Sequence, residues 1–134
     1  MEILVIGCES AGIHLIHHLA AEGHRVTVLD SDYELITALV SQENVVGHLL
    51  SPQPLMESLR QAGIGHADAF LALTKNDNYN ALAGQVAQHI FHVPNVFCRI
   101  DDEDRQQVYT ELGMQVVSAT AIIAQTIQSA LKER

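Results

Sequence analysis

Short runs of apolar residues alternate along the chain with longer segments in which apolar positions recur every three or four residues. The short runs predict buried strands and the longer segments predict amphipathic helices, a succession typical of βαβ units and a parallel sheet. The predicted strands are Ile3–Ile6, Arg25–Leu29, Val45–His48, Ala69–Leu73, Val96–Ile100 and Gln115–Val117. The predicted helices are Gly12–Glu22, Asp32–Gln42, Pro54–Ala62, Asp77–Phe91, Glu103–Leu112 and Ala119–Lys132.

The residues between these segments support the boundaries. Gly23 and Gly63 stand where helices should end, and Asp32 and Asp77 stand where side-chain caps should start them. Six strands joined by right-handed crossovers predict a single α/β domain over residues 1–134, a Rossmann-type doubly wound parallel six-stranded sheet in the order 3-2-1-4-5-6. That order predicts a ligand crevice at the carboxyl edge, between the first and fourth strands.

The final predicted helix is rich in apolar residues for a terminal element. These residues are Ile122, Ile123, Ile127, Ala130 and Leu131. We expect this helix to pack on the domain's own sheet, with a contact to a second copy of the chain as the alternative.

Composition excludes several classes of protein. The formal net charge is −9, and seven Lys and Arg residues are too few for a nucleic-acid interface. No segment approaches the roughly 20 apolar residues of a membrane span, so we expect a cytoplasmic protein without direct membrane insertion. Cys8 and Cys98 form no disulfide or zinc pattern. His14 and His18 could chelate a metal as i, i+4 neighbours, but an exposed histidine face without a metal is the expectation.

The turn after the first strand reads Gly7-Cys8-Glu9-Ser10-Ala11-Gly12. A dinucleotide fingerprint has three glycines here, for the turn, for the approach of the pyrophosphate and for helix packing. The middle one is Glu9, whose carboxylate would meet a phosphate near the helix N-terminus. Two like charges about 4 Å apart repel by about 4 kcal/mol at an effective dielectric constant of about 20, so tight NAD binding is disfavoured. A turn retained for folding alone is the alternative.

Two further positions favour an adenosine ligand at this edge. Asp30 stands at the end of the second strand, where an acid accepts hydrogen bonds from ribose hydroxyls and excludes the 2′-phosphate of NADP. A solvated carboxylate is the alternative. Thr74 and Lys75 follow the fourth strand and would lie near a phosphate.

The sequence resembles the TrkA amino-terminal family, also called the KTN or RCK domain, over nearly the whole chain. Besides Gly7, Gly12 and Asp30, the resemblance rests on Leu59–Ile64, Ala67–Ala69, Thr74–Asp77, Asn80, Cys98–Ile100 and Leu112–Gly113. It implies a cytoplasmic, dimerising sensor with an adenine nucleotide over the glycine turn, and with Thr74 and Asp77 on the phosphate side. The candidate nucleotide-binding residues are Gly7, Cys8, Glu9, Ser10, Gly12, Asp30, Ser31, His48, Leu49, Thr74, Lys75, Asp77 and Arg99.

Three departures from the family pattern bear on the ligand. Glu9 replaces a glycine, Ser10 stands where members that bind triphosphates often have Arg, and Gly47-His48-Leu49 replaces Gly-Asp-Ala. These departures favour AMP or ADP over NAD, NADH and ATP, with a site that binds no ligand as the alternative.

The resemblance leads us to expect a ligand-sensing regulatory domain of a potassium or other cation channel or transporter. It would gate through rearrangement of a homodimer or larger ring, with residues 119–134 as a crossover helix, at the inner face of the membrane through a transport partner. We expect no enzyme, because no catalytic residue set is recognisable. A dimerisation module with a degenerate site and a fragment of an NAD-dependent oxidoreductase are the alternatives, and both a fragment and a stand-alone subunit stay open.

Overall fold

The computed structural model describes residues 1–9, 11–50 and 52–134. Its strands are β1 (Glu2–Ile6), β2 (Arg25–Asp30), β3 (Val45–Leu49), β4 (Ala69–Ala72), β5 (Asn95–Arg99) and β6 (Gln115–Val117). Its α-helices are α1 (Ala11–Ala21), α2 (Tyr33–Leu39), α3 (Leu55–Gln61), α4 (Asp77–Gln85), α5 (Glu103–Glu111) and α6 (Ala119–Lys132). A 3-10 turn, Ile64–His66, precedes β4, and a π-helical segment, Val86–Ile90, continues α4.

The strands form one parallel sheet in the order β3-β2-β1-β4-β5-β6, which confirms the predicted fold class and topology. Within it, β1 lies between β2 and β4, so that Ile3 is opposite both Val26 and Ala69. The chain winds outward from β1 in both directions, and the carboxyl ends of β1 and β4 therefore border the crevice typical of this topology.

A hydrophobic core covers each face of the sheet. Along β1, Leu4 and Ile6 belong to the core beneath α3 and α4, while Ile3 and Val5 belong to the core beneath α1 and α2. This division follows from the alternation of side chains along a strand. Because both faces are covered, the strand is a continuous apolar run, as the sequence indicated.

The helix predicted over Asp32–Gln42 ends at Leu39, and two predictions about α4 also need correction. The start of α4 is capped by Asn76, whose side-chain oxygen accepts the backbone N–H of Tyr79 at 2.9 Å, and not by Asp77. Asp77 is instead the first helical residue, and its carboxylate is directed toward the loop after β5. The predicted helix Asp77–Phe91 is α-helical only through Gln85, because the next turn adopts π-helical hydrogen bonding.

The prediction that α6 packs on its own sheet is wrong. None of its residues is buried, and its large apolar side chains are between 55% and 66% exposed: Ile122, Ile123, Ile127 and Leu131. The helix leaves the sheet at its edge after the three-residue strand β6. A face of the sheet beside α1 correspondingly retains an open apolar trough of about 310 Å³. The trough is lined by Met1, Ile3, Leu15, Leu19, Ala69, Leu71, Leu73, Phe97 and Val117.

Within the described ranges, no helix is both long enough and apolar enough to cross a membrane.

Two glycines near the end of α3 provide a matched test of the backbone. Gly63 has φ of +89°, whereas Gly65 lies in the 3-10 turn without a positive φ, and both have open space where a Cβ would stand. We expect Gly63→Ala to lower the free energy of unfolding by about 1 kcal/mol, because the left-handed region disfavours a Cβ. Gly65→Ala should leave it unchanged or raise it by up to about 1 kcal/mol. Urea unfolding at one fixed protein concentration measures both, and equal losses would contradict the explanation.

Candidate functional site

A cleft of about 370 Å³ opens at the carboxyl ends of β1 and β4, where the strand order predicts a ligand site. Its volume lies at the lower end of the range typical of small-molecule sites. The cleft is lined by Gly7, Glu9, Asp30, Ser31, Leu50, Leu73, Thr74, Lys75, Asn76 and Tyr79. Six of the predicted binding residues are therefore in its wall: Gly7, Glu9, Asp30, Ser31, Thr74 and Lys75.

The two glycines of the turn have the structural roles that the sequence indicated. Gly7 has φ of +85°, and a Cβ there would lie 2.7 Å from the backbone nitrogen of Thr74. A Cβ on Gly12 would lie 2.9 Å from the carbonyl oxygen of Gly7. The first glycine therefore allows the turn to contact β4, and the second allows α1 to pack directly on the turn.

Asp30 lines the cleft with its carboxylate held by backbone donors. One oxygen, Oδ2, accepts the N–H of Cys8 at 3.1 Å and the thiol of Cys8 at 3.3 Å. The other, Oδ1, accepts the N–H of Asp32 at 2.8 Å. Burial, followed by the hydrogen bond to Asp30, raises the pKa of the Cys8 thiol, so the thiol remains a donor. Cys8 itself lies beneath the cleft and is fully buried.

Glu9 does not stand alone at the mouth of the cleft. Its Oε2 lies 3.1 Å from the Nζ of Lys75, which reaches across from the loop after β4. Both side chains are exposed, by 58% for Glu9 and 73% for Lys75. The carboxylate at the middle position of the turn is thus paired with a cation at the mouth of the cleft.

Asn80 joins the ends of β4 and β5 below the cleft. Its Oδ1 accepts the backbone N–H of Thr74 at 3.0 Å and the Thr74 hydroxyl at 2.6 Å. Its Nδ2 donates to the carbonyl oxygens of Thr74 and Arg99, each at 2.8 Å. The side chain is fully buried, and the Thr74 hydroxyl is engaged within the protein.

Asp77 and Arg99 do not line the cleft. The Asp77 carboxylate accepts the backbone N–H groups of Asp101 and Asp102, at 3.0 and 2.9 Å. The guanidinium of Arg99 donates through Nε to Asp101 at 2.9 Å. Both predicted binding residues are therefore engaged in the loop that follows β5.

The third strand was predicted to end at His48, but it ends one residue later, at Leu49. His48 and Leu49 still belong to β3, because the strand continues to Leu49 rather than ending at His48. The residue that lines the cleft is Leu50, whose N–H donates to the carbonyl oxygen of Asp30 at 2.8 Å. Ser10 lies outside the described residues.

Sequence reasoning missed four residues of the wall: Leu50, Leu73, Asn76 and Tyr79. The helix cap is the signal that could have found two of them, since Asn76 caps α4 and Tyr79 follows in its first turn. Tyr79 is partly buried, and this burial raises the pKa of its phenol, which stays neutral.

The histidines of α1 are exposed, as predicted. His14, His17 and His18 point away from the core, and the rings of His14 and His18 lie 4.5 Å apart between centroids. Among the residues that the structure describes, no three or more His, Cys, Asp or Glu side chains are grouped to hold a metal ion.

The family model described as the TrkA-N domain matches residues 3–120. The chain belongs to the TrkA-N domain family. The Trk system potassium uptake protein TrkA of Streptomyces coelicolor is 37% identical over 121 residues, which are 88% of this chain and 52% of that protein. The protein of the same name from Halomonas elongata is 34% identical over 103 residues, 75% of this chain and 22% of that protein. This TrkA-N domain thus spans about half the length of the first relative and about a fifth of the second.

Solved structures share the fold of this TrkA-N domain. The TrkA-N domain of inner membrane protein ybaL from Escherichia coli superposes with a TM-score of 0.85 at 21% identity, covering 97% of this chain and 96% of that one. GsuK bound to ADP superposes with a TM-score of 0.73 at 23% identity, covering 90% of this chain and 32% of that one. The GsuK channel bound to NAD superposes with a TM-score of 0.70 at 22% identity, covering 87% of this chain and 21% of that one.

The buried amide of Asn80 can be tested against a neighbour on the same helix. Asn80→Ala leaves the N–H and carbonyl groups at the ends of β4 and β5 without partners, so we expect it to lower the free energy of unfolding by about 2–4 kcal/mol. Asn78 is exposed, and its side-chain oxygen accepts a hydrogen bond from Arg105 at 2.9 Å. Asn78→Ala should therefore change the free energy of unfolding by less than about 0.5 kcal/mol. Denaturant unfolding compares the two variants, and a small loss at Asn80 would contradict its role.

Proposed function

We propose that this chain is a ligand-sensing regulatory domain of a potassium or other cation channel or transporter, and that it binds an adenine nucleotide in the cleft. The observation that carries the proposal is the Asp30 carboxylate, held by backbone N–H groups in the same cleft as the Gly7 turn. The potassium uptake relatives and the GsuK structures with NAD and with ADP support it.

The cleft divides into three regions that match the parts of an adenosine phosphate. Asp30 would accept hydrogen bonds from the ribose hydroxyls. Leu50 and Tyr79 provide apolar and aromatic surface for the base. Lys75, beside the Gly7 turn, is the cation available to a phosphate.

We infer that AMP or ADP binds in preference to NAD, NADH and ATP. The N–H groups of Gly7, Cys8 and Gly12 donate to Leu29, Asp30 and Glu9 within the protein, so these three groups are not free to bind a pyrophosphate. The Glu9 carboxylate adds a negative charge to the same region. Every additional phosphate therefore increases the electrostatic cost of binding.

A homodimer would cover the two exposed apolar surfaces of the domain. On α6, Ile123, Ile127, Ala130 and Leu131 follow the i, i+4, i+7, i+8 spacing of one helix face. The apolar trough has no polar surface, and its own chain leaves it open. If each copy places α6 in the trough of the other, a two-fold contact buries both surfaces. Exposed Leu82 on α4, Val108 on α5 and Leu112 just after α5 offer a second contact for a larger ring.

Hydrogen bonds connect the cleft to α6, the helix proposed to cross between copies. Asn76 lines the cleft, and its neighbour Asp77 binds the N–H of Asp101. Asp101 in turn accepts the N–H of Ala119, the first residue of α6, at 3.3 Å. A nucleotide that binds two dimer arrangements unequally would shift their balance through this path and so gate a transport partner at the inner face of the membrane.

Calorimetric titration with AMP, ADP, ATP, NAD and NADH tests the nucleotide site. We expect AMP or ADP to bind most tightly, and Asp30→Asn to weaken both by about tenfold or more through loss of the charged ribose acceptor. Asp32→Asn is the matched control, since it removes a nearby charge while Asn caps α2 as well as Asp does.

Each alternative function has its own result in that titration. A preference for NADH accompanied by turnover of a substrate would indicate an oxidoreductase fragment. Absence of binding to every nucleotide tested would indicate a dimerisation module with a degenerate site.

The dimer is tested separately by sedimentation. Ile123→Gln combined with Ile127→Gln places amides on the apolar face of α6, and we expect at least a tenfold weaker association because apolar burial is lost. Ser129→Gln, on the opposite side of the same helix, should leave association unchanged. Unchanged association of the double variant would rule out the α6 contact.

A further inference from the structure

The ion pair between Glu9 and Lys75 has a consequence for ligand choice beyond simple repulsion. We propose that Lys75 exchanges the Glu9 carboxylate for a single ligand phosphate, and that this exchange makes the cleft selective for a nucleoside monophosphate. The inference rests on the proposed nucleotide function and names the ligand within it.

The pair is held loosely enough to be exchanged. Its atoms are 3.1 Å apart, but both side chains are more than half exposed. Ion pairs of this kind contribute little to stability, because water and salt screen both charges. A phosphate carries more negative charge than a carboxylate and offers three acceptor oxygens, so it can displace Glu9 from the ammonium group.

Recognition of the first phosphate depends on Lys75, which is the cation of the described cleft wall, and three N–H groups of the turn are already engaged. The N–H groups of Gly7, Cys8 and Gly12 donate to acceptors of the protein. The Thr74 hydroxyl donates to the buried Asn80 side chain. Among the described residues of the cleft wall, Lys75 is the single Lys or Arg.

A second phosphate meets a different environment. Once Lys75 holds the first phosphate, Glu9 is released but remains tethered in the turn beside it. The wall then presents the carboxylates of Glu9 and Asp30 without another lysine or arginine. Affinity should therefore rise from adenosine to AMP and fall with each phosphate that follows.

The test measures the affinities of the full chain for adenosine, AMP, ADP and ATP, each titrated in the absence of divalent cations. For the unaltered chain we expect AMP to bind about tenfold more tightly than adenosine, and ADP and ATP to bind progressively more weakly than AMP. Lys75→Gln should lower AMP affinity to that of adenosine. Glu9→Gln should raise the affinities for ADP and ATP by about tenfold while leaving adenosine unchanged.

The Glu57–Arg60 pair provides the matched control, because its atoms are 3.8 Å apart, it is similarly exposed and it lies on α3 away from the cleft. Glu57→Gln changes the net charge as Glu9→Gln does and should leave the affinities for adenosine, AMP, ADP and ATP unchanged. The difference between AMP and adenosine should also shrink as salt is raised, a response that a purely structural lysine would not produce.

The outcomes separate this inference from the proposed function. If adenosine and AMP bind but Lys75→Gln leaves their ratio unchanged, or if ADP or ATP binds most tightly, the exchange is overturned and the nucleotide site stands. If neither adenosine nor any phosphate derivative binds, the proposed nucleotide function is overturned together with the exchange.

Discussion

The architecture of the cleft depends on the contact between the turn after β1 and the end of β4. Gly7 stands so close to the backbone of Thr74 that no side chain would fit between them. Backbone hydrogen bonds also join the turn to its neighbours. The N–H of Gly7 donates to the carbonyl oxygen of Leu29 at 3.0 Å, and the N–H of Leu73 donates to that of Ile6 at 2.9 Å. These hydrogen bonds join three adjacent strand ends, so the sheet fixes where the floor of the cleft lies.

This close approach also explains why the middle position of the turn tolerates an acid. The glycines at Gly7 and Gly12 satisfy the packing of strand and helix, whereas Glu9 lies at the exposed mouth and extends toward Lys75. The substitution therefore leaves the fold intact and changes the charge of the cleft. The location of the cleft thus depends on the two flanking glycines, whereas its charge depends on the residue between them.

Most of the fold and part of the cleft could be predicted from the sequence. Each predicted strand agrees with the structure to within one residue at either end, because the apolar runs and their glycine and aspartate boundaries are local signals. Gly7, Asp30 and Lys75 were found because each follows a strand end at the carboxyl edge. Leu50 was missed because β3 ends one residue later than predicted, which the apolar pattern does not resolve. Asn76 and Tyr79 were missed because the sequence pattern predicts Asp77 as the helix cap in place of Asn76.

The helix α6 marks the limit of reasoning from periodicity. An apolar face predicts burial, but it carries no information about which copy of the chain supplies the covering surface. Here that face and the apolar trough are exposed on one domain, and Asp101 connects the start of α6 to Asp77, the residue after Asn76 of the cleft wall. If, as proposed, a second copy covers this face and a nucleotide binds in the cleft, assembly and ligand binding are coupled whenever the ligand binds one arrangement more tightly. In that case reciprocity requires that assembly alter ligand affinity by the same factor.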